Sequence, residues 1–381
     1  MPRHAEVRVD MSAIGHNVAE LARLAGSSEL CVVVKADGYG HGAVQVARAA
    51  LGSGATRLAV ALVEEGVELR EAGIDAPILL LSEPPLDAFE DAWAHHLTPT
   101  IYHEEAVARA SETVGRNARW GVHLKVDTGM HRVGATPRDA VDLAARVLLA
   151  DNLLLEGVFT HLAVADTPQR SETDEQLRRF GAVLADLDAA GIDPGVVHAA
   201  NSAGLLAHPG SHFAMVRAGI AAYGIPPSPH TAGQVELRPA MSVHAEVTHV
   251  HTVPAGEGVS YGLAHVFDVD TIVAVVPVGY ADGIPRNFGA VGGAFLVGGI
   301  PRPVRGVVTM DQTVIEVGPV GHPSVVPVHV GDEVVLLGSQ LGPDGPVEVS
   351  AVHWATILDT IPYEVVCRFS ARLPRRHLRG R

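Results

Sequence analysis

Cysteine is almost absent. Cys31 and Cys367 are the only two, far apart and without metal-ligand spacing, which fits a reducing compartment. Basic residues are outnumbered: 28 Lys and Arg face 43 Asp and Glu, a formal net charge of −15. Such a surface repels polyanions and argues against a nucleic-acid or anionic-membrane partner. The one basic cluster, from Arg372 to Arg381, reads as a solvated end. Long apolar runs are missing too. Charges or turn residues break every hydrophobic stretch before membrane-spanning length, and MPRHAEVRVD has no apolar core of signal-peptide length. A cytoplasmic location is therefore expected. The 21 histidines are scattered, with no H-E-x-x-H pair, so no metal site is expected.

What is present points to two domains. The chain has 381 residues, too many for one ordinary core, and 47% apolar against 19% charged residues is a globular balance. Up to about residue 230, short apolar runs alternate with amphipathic stretches. The strand candidates are CVVVKAD, RLAVAL, PILLLSE, LTPTIY, VHLKVDTG, LEGVFTH, GVVHAAN and HFAMVRAG. Helical patterns such as GAVQVARAALGSG and DEQLRRFGAVLADLDAAG lie between strands, and Gly73 and Gly191 read as helix stops. Near-continuous apolar strands alternating with helices imply a parallel sheet. Eight units suggest a (β/α)8 barrel over residues 1–235, although counting alone leaves an open sheet possible. From 236 to 381 the helical rhythm stops and Gly/Pro-punctuated strands predict an all-β domain, interrupted by one helix-like stretch, VSAVHWATILDTI. AEVRVD near the start is strand-like and is a candidate to pair with that β domain.

A barrel gathers chemistry at the C-terminal ends of its strands. Those ends carry Lys35, Lys125 with Asp127, Thr160 with His161, Asn201 and Arg217. Lys35 closes the run VVVK and opens a glycine-rich turn, DGYGHG. A lysine there has two readings. Its amine can snorkel to solvent. Alternatively, partial desolvation favours the neutral amine, which condenses with an aldehyde such as pyridoxal phosphate.

The stretch VVVKADGYGHG (32–42) resembles the cofactor-lysine signature of the alanine racemase family. LKVDTGMHRVG (124–134), HAANSAG (198–204), MVRAGIAAYG (215–224), VSYG (259–262), VGYADGIPR (278–286), TMDQ (309–312) and TIPYE (360–364) follow in the family's order. The resemblance spans both predicted domains. It implies a pyridoxal-phosphate enzyme interconverting L- and D-alanine, supplying D-alanine for peptidoglycan, and working as a homodimer whose active sites are shared.

By that resemblance Lys35 anchors the cofactor and serves as one base, and Tyr261 is the other, supplied by the neighbouring subunit. Arg217 contacts the pyridine nitrogen, with His161 behind it. Tyr39, Asn201, Ser202, the backbone at Gly219 and Ile220, and Tyr363 occupy the phosphate-side positions. Arg132 grips the substrate carboxylate, assisted by the backbone of Met310. Tyr280 and Asp311 line the entrance. Lys125 matches a lysine that some members carry as a carbamate supporting the arginine. Thr309 stands where the family often has cysteine. Rival readings are a related racemase for serine, lysine or a broader range, a decarboxylase on the same plan, a non-catalytic cofactor carrier, and a sugar-metabolising barrel. A decarboxylase would be expected to place a carboxylate at position 217, a carrier has no use for the β domain, and a sugar enzyme would need paired carboxylates or metal ligands.

Overall fold

The strand β1 (Ala5–Asp10) does not join the parallel strands that follow it. It pairs antiparallel with Met241–Glu246 and parallel with Arg375–Leu378. This computed structural model describes residues 4–115 and 118–378, and the chain divides into two units, Ser12–Arg238 and Met1–Met11 with Pro239–Arg381.

The first unit is built on eight parallel strands. They are β2 (Glu29–Val33), β3 (Arg57–Val60), β4 (Ile78–Leu80), β5 (Thr100–Ile101), β6 (Trp120–Lys125), β7 (Leu153–Phe159), β8 (Val196–His198) and β9 (Met215–Ala218). The order β4-β3-β2-β9-β8-β7-β6-β5 runs round a ring, and a parallel bridge between Leu79 and Thr98 joins its two ends. This is the (β/α)8 barrel expected from the eight apolar runs. The strands are buried because helices cover them, as in Ala43–Leu51, which turns Ala43, Val46, Ala47 and Ala50 inward at helical spacing.

Gly73 and Gly191 terminate helices as the sequence predicts. Both have left-handed φ, +80° and +70°. After the helix Val63–Glu71, Gly73 N–H donates to Arg70 O and Ile74 N–H to Leu69 O. After Glu172–Ala189, Gly191 N–H donates to Asp188 O and Ile192 N–H to Leu187 O. Each is a Schellman closure, with a buried isoleucine and a buried leucine at its apolar positions.

The second unit is β-rich. Its main sheet runs Ile300–Pro303, Ala294–Val297, Glu333–Gly342, Met241–Glu246, β1, Arg375–Leu378, and Gly345–Val349 forms a hairpin with Glu333–Gly342. A three-stranded sheet (His249–Val253, Thr271–Val276, Thr313–Pro319) and a short ribbon (Gly258–Val259, His265–Val266) complete it. Trp354, on the interrupting helix Ala351–Leu358, packs against Phe288 and Phe369.

The expectation of a solvated basic tail is overturned for the part described. Arg375–Leu378 is a strand held by β1, and Arg372 Nη2 lies 2.6 Å from Asp311 Oδ1. Alternating side chains let a charged stretch line an edge strand while its backbone pairs. Residues 379–381 of that cluster lie outside the described residues.

Candidate active site

Lys35 stands just beyond β2, after Val34, and opens a turn that the sequence does not announce. Ala36, Asp37, Gly38 and Tyr39 have φ of 52°, 51°, 59° and 53°, a full left-handed turn. Each non-glycine residue there costs roughly 1–2 kcal/mol relative to right-handed backbone. Local hydrogen bonds offset that cost. Gly38 N–H donates to Val34 O at 2.9 Å, and Asp37 Oδ1 accepts Ala43 N–H at 2.9 Å. Glu65, in the first turn of Val63–Glu71, accepts Ala36 N–H on Oε1 at 2.6 Å and Ala61 and Leu62 N–H on Oε2. One carboxylate thus ties a helix start to the residue after Lys35.

Tyr39 turns back toward β9. Its ring packs against Tyr223 with centroids 4.8 Å apart, and Tyr223 OH donates to Val33 O at 2.8 Å. A Cβ on Gly219 would meet the Tyr39 hydroxyl at 2.6 Å, so only glycine admits it. Ser202 Oγ accepts Gly219 N–H at 2.9 Å and Ala221 N–H at 3.3 Å. Asn201 caps the helix Ser202–Ala207 by accepting Gly204 N–H, and its amide donates to Leu162 O. Tyr39, Ser202, Gly219 and the following Ile220 therefore form one small polar cradle beyond β8 and β9.

Arg217, in β9 and paired in register with Cys31 of β2, is buried. Its Nη2 donates to Thr160 O at 2.8 Å and Ala199 O at 2.9 Å, and Nη1 meets His198 Nδ1 at 2.6 Å. His161 Nδ1 is 3.3 Å from Nη2. Burial pulls the guanidinium down to about 10, still far above neutrality, so it remains a cation. Burial, then the Arg217 charge, hold His161 well below its ordinary value and keep it neutral. Gln176 fixes the His161 backbone, its amide donating to His161 O at 3.0 Å.

Lys125 ends β6 and shares a cleft with Asp127, Arg132 and His161. Its Nζ donates to Leu81 O at 3.0 Å. Burial, with Arg217, Arg132 and Lys35 nearby, pulls the amine down to about 7. Arg132 is exposed on the loop that follows, closed by Asp127 N–H to Ala135 O and Ala135 N–H to Lys125 O. Asp127 Oδ1 accepts Gly129 and His131 N–H, which shapes that loop.

The β-rich unit carries the other candidates on exposed loops. Tyr261 is 73% exposed, between the two strands of the short ribbon, and Ser260 before it has φ +66° and donates to Val307 O. The turns bearing Tyr280 and Met310 are laced together: Tyr280 N–H donates to Thr309 O at 2.9 Å and Ala281 N–H to Met310 O at 3.2 Å. Thr309 Oγ1 donates to Gln312 O at 2.9 Å and so closes its own turn. Arg372 spans Asp311 and the buried Asp282. Tyr363 is half-buried at the start of Pro362–Cys367. Among the described residues, no group of three or more His, Cys, Asp or Glu is arranged to hold a metal, and no helix is long and apolar enough to cross a membrane.

A closed parallel barrel with amines and a buried guanidinium at its strand ends, followed by a β-rich unit, is the layout of a two-unit barrel enzyme. The sequence specifies which. Residues 9–227 match the alanine racemase N-terminal domain and residues 240–377 the C-terminal domain. The chain is 46% identical to the alanine racemase of Symbiobacterium thermophilum over 98% of its length and 96% of that protein's, and 43% identical to that of Thermobifida fusca over 98% of both. Its fold superposes on the Bacillus anthracis alanine racemase with bound L-Ala-P at a TM-score of 0.91 and 36% identity, covering 100% of this chain and 96% of that one. The Streptomyces lavendulae alanine racemase gives 0.89 at 38% identity, covering 100% and 98%. The chain belongs to the alanine racemase family.

Several residues that build the site were not singled out from the sequence: Asp37, Glu65 and His198. His198 ends the run GVVH, so the strand-end rule that selects His161 also finds it. Glu65 carries a weaker signal, an acidic residue in a helix's first turn.

Proposed function

We propose that this protein interconverts L-alanine and D-alanine using pyridoxal phosphate at the barrel mouth, in the cytoplasm, and supplies D-alanine for peptidoglycan. The observation that carries the reading is Arg217: a buried cation, not a carboxylate, at the strand beside the one that leads to Lys35. The residues at hand fit the cofactor. The cradle of Tyr39, Ser202, Gly219 and Ile220, with Asn201 shaping it and Tyr363 assigned to it by family likeness, suits a phosphate, because it presents the Tyr39 and Ser202 hydroxyls where glycine keeps the wall thin, the Gly219 N–H holding Ser202 Oγ in place. When bound, pyridoxal phosphate supplies a carbonyl that condenses with amines and a ring that takes up the electron pair left at the substrate Cα.

Arg217 gives hydrogens and accepts none, so a ring nitrogen beside it stays unprotonated. Such a ring is a modest electron sink, which favours return of the Cα proton over side reactions. Nη2 is committed to two carbonyls and one Nη1 hydrogen to His198, which leaves the Nε–H and the second Nη1–H for that nitrogen. Lys35 removes or delivers the proton on one face. Tyr261, from a second subunit, does so on the other, since two fixed bases solve the geometry of racemisation directly. The high exposure of Tyr261 within one chain suits a residue lent to a homodimer partner. Arg132 forks onto the substrate carboxylate with the Met310 backbone; Lys125 as a free amine repels that arginine, and only its carbamate would give it an anionic partner. Tyr280 and Asp311 line the approach.

The test is a chiral assay of the purified protein, with added cofactor, against L-alanine, L-serine and L-lysine. Alanine is expected to isomerise fastest. Isomerisation of none rejects the activity, and faster turnover of serine or lysine reassigns the substrate.

A further inference from the structure

Arg217 is the upper end of a polar chain that runs down the inside of the barrel. Glu29 and Arg57 are the first residues of β2 and β3, so they lie at the opposite, N-terminal end. Arg57 Nε meets Glu29 Oε2 at 2.7 Å, and Arg57 Nη1 meets Glu156 Oε1 at 2.6 Å. The same Glu156 oxygen lies 3.8 Å from His123 Nε2, too far for a hydrogen bond, and that ring nitrogen is buried without a hydrogen-bond partner among the described residues. His123 Nδ1 is 2.8 Å from His198 Nε2, and His198 Nδ1 is 2.6 Å from Arg217 Nη1.

The barrel makes room for these side chains. A Cβ on Gly121 would fall 2.1 Å from Glu156 Oε2, and one on Gly157 would fall 2.5 Å from His123 Cε1. Phe159 stacks on the His198 ring at 4.5 Å with planes 8° apart, which fixes the plane of that ring.

Hydrogen-bond chemistry gives the chain a direction. Arginine only donates, so His198 Nδ1 accepts. Burial above all keeps both imidazoles neutral. A neutral His198 then carries its hydrogen on Nε2 and gives it to His123 Nδ1. A neutral His123 must in turn carry its own on Nε2, facing the carboxylate of Glu156. Every donor points the same way, from the guanidinium toward the anion.

We propose that Glu156, paired with Arg57, is a positioning residue for Arg217, acting through His123 and His198. The hydrogen-bonded relay from Arg217 ends at His123, and the Glu156 charge, facing His123 Nε2 across 3.8 Å, favours the tautomer that points the hydrogen at it and couples the barrel floor electrostatically to the cofactor end. The cofactor side of this inference rests on the reading of Arg217 given above; the relay itself does not.

Two measurements test it. In protein labelled with 15N-histidine, His123 and His198 should both be neutral with the hydrogen on Nε2 between pH 6 and 8, assigned by comparison with His123→Gln. A hydrogen on Nδ1 of His198 overturns the relay, and this reading needs neither turnover nor a variant at Glu156. Second, the pH at which the bound cofactor's absorbance changes should move down by about half a unit or more in Glu156→Gln and up in Arg57→Gln, with the double variant near the wild type. Removing an anion disfavours nearby cationic forms and removing a cation favours them, so opposite signs are the mark of coupling. Shifts of one sign, or none in variants that melt as folded proteins, overturn it. A wild type with the expected tautomers but no alanine racemisation would instead sink the proposed activity alone.

Discussion

The Tyr39 hydroxyl stands 2.6 Å from the point where a Cβ on Gly219 would sit. Tyr39 cannot easily retreat, because its ring rests on Tyr223, which is itself bonded to Val33 O. Gly219→Ala is therefore expected to distort the cradle and weaken cofactor binding about tenfold or more, with circular dichroism unchanged. Tyr39→Phe, which keeps the ring and loses one donor, should cost only a few-fold. Cofactor titration followed by absorbance checks both. Unaltered affinity in Gly219→Ala would remove this pair from the phosphate's surroundings.

Lys125 gives a pH signature. Its amine titrates at about 7 in the folded protein, lowered mainly by burial, against 10.5 in an exposed chain. Between those values the unfolded state holds the extra proton, so this group makes stability rise with pH across that window. Below it, the protein carries a buried ammonium at a cost on the order of a few kcal/mol. Lys125→Met should thus melt higher than the wild type at pH 6, and the gap should narrow toward pH 10. Other titrations are common to both proteins and cancel. A gap that is constant or widens with pH would contradict the assigned shift.

Gly73 and Gly191 isolate a purely backbone effect. An added Cβ meets nothing within 4 Å at either position, yet both residues are left-handed. Alanine at each should destabilise by about 1 kcal/mol, and the two should add, since the helices they end share no capping partner. Urea unfolding with an unchanged m-value is the measurement. A neutral double variant would mean the Schellman closures are not needed to stop these helices.

Much of this layout is legible in the sequence. The eight apolar runs became the eight barrel strands because a buried parallel strand needs little more than a short run of Val, Leu and Ala between helices. Lys35, Arg217 and His161 stand where such a run ends, and a polar residue there marks the barrel's active rim. The left-handed turn after Lys35 is not legible there, since Ala36, Asp37 and Tyr39 adopt φ that their side chains disfavour, and the first-turn position of Glu65 marks a helix start, not its bond to Ala36. The strand Arg375–Leu378 was also hidden, because its partner β1 lies at the far end of the chain. Glu156 and Arg57 escaped for a related reason. Strand-end logic looks only at the barrel's C-terminal rim, and their meaning depends on Gly121 and Gly157 leaving space beside them.

Sharing of the site between subunits makes a prediction that a self-contained site cannot. On the proposed reading, Lys35→Ala removes the cofactor anchor from the barrel, and Tyr261→Phe removes the second base from the β-rich unit. Each homodimer should be inactive in racemisation. If Tyr261 serves the neighbouring barrel, one of the two sites in a hybrid dimer is doubly defective and the other is intact. Equal mixing with full exchange makes half the dimers hybrid, so recovery should approach about a quarter of wild-type activity. Were Tyr261 to serve its own barrel, every site in every dimer would lack one base, and no exchange could restore turnover. Single-turnover proton exchange adds the direction: Tyr261→Phe should suppress exchange from L-alanine far more than from D-alanine, whereas equal losses from both would mean the phenol does not face one side of the substrate.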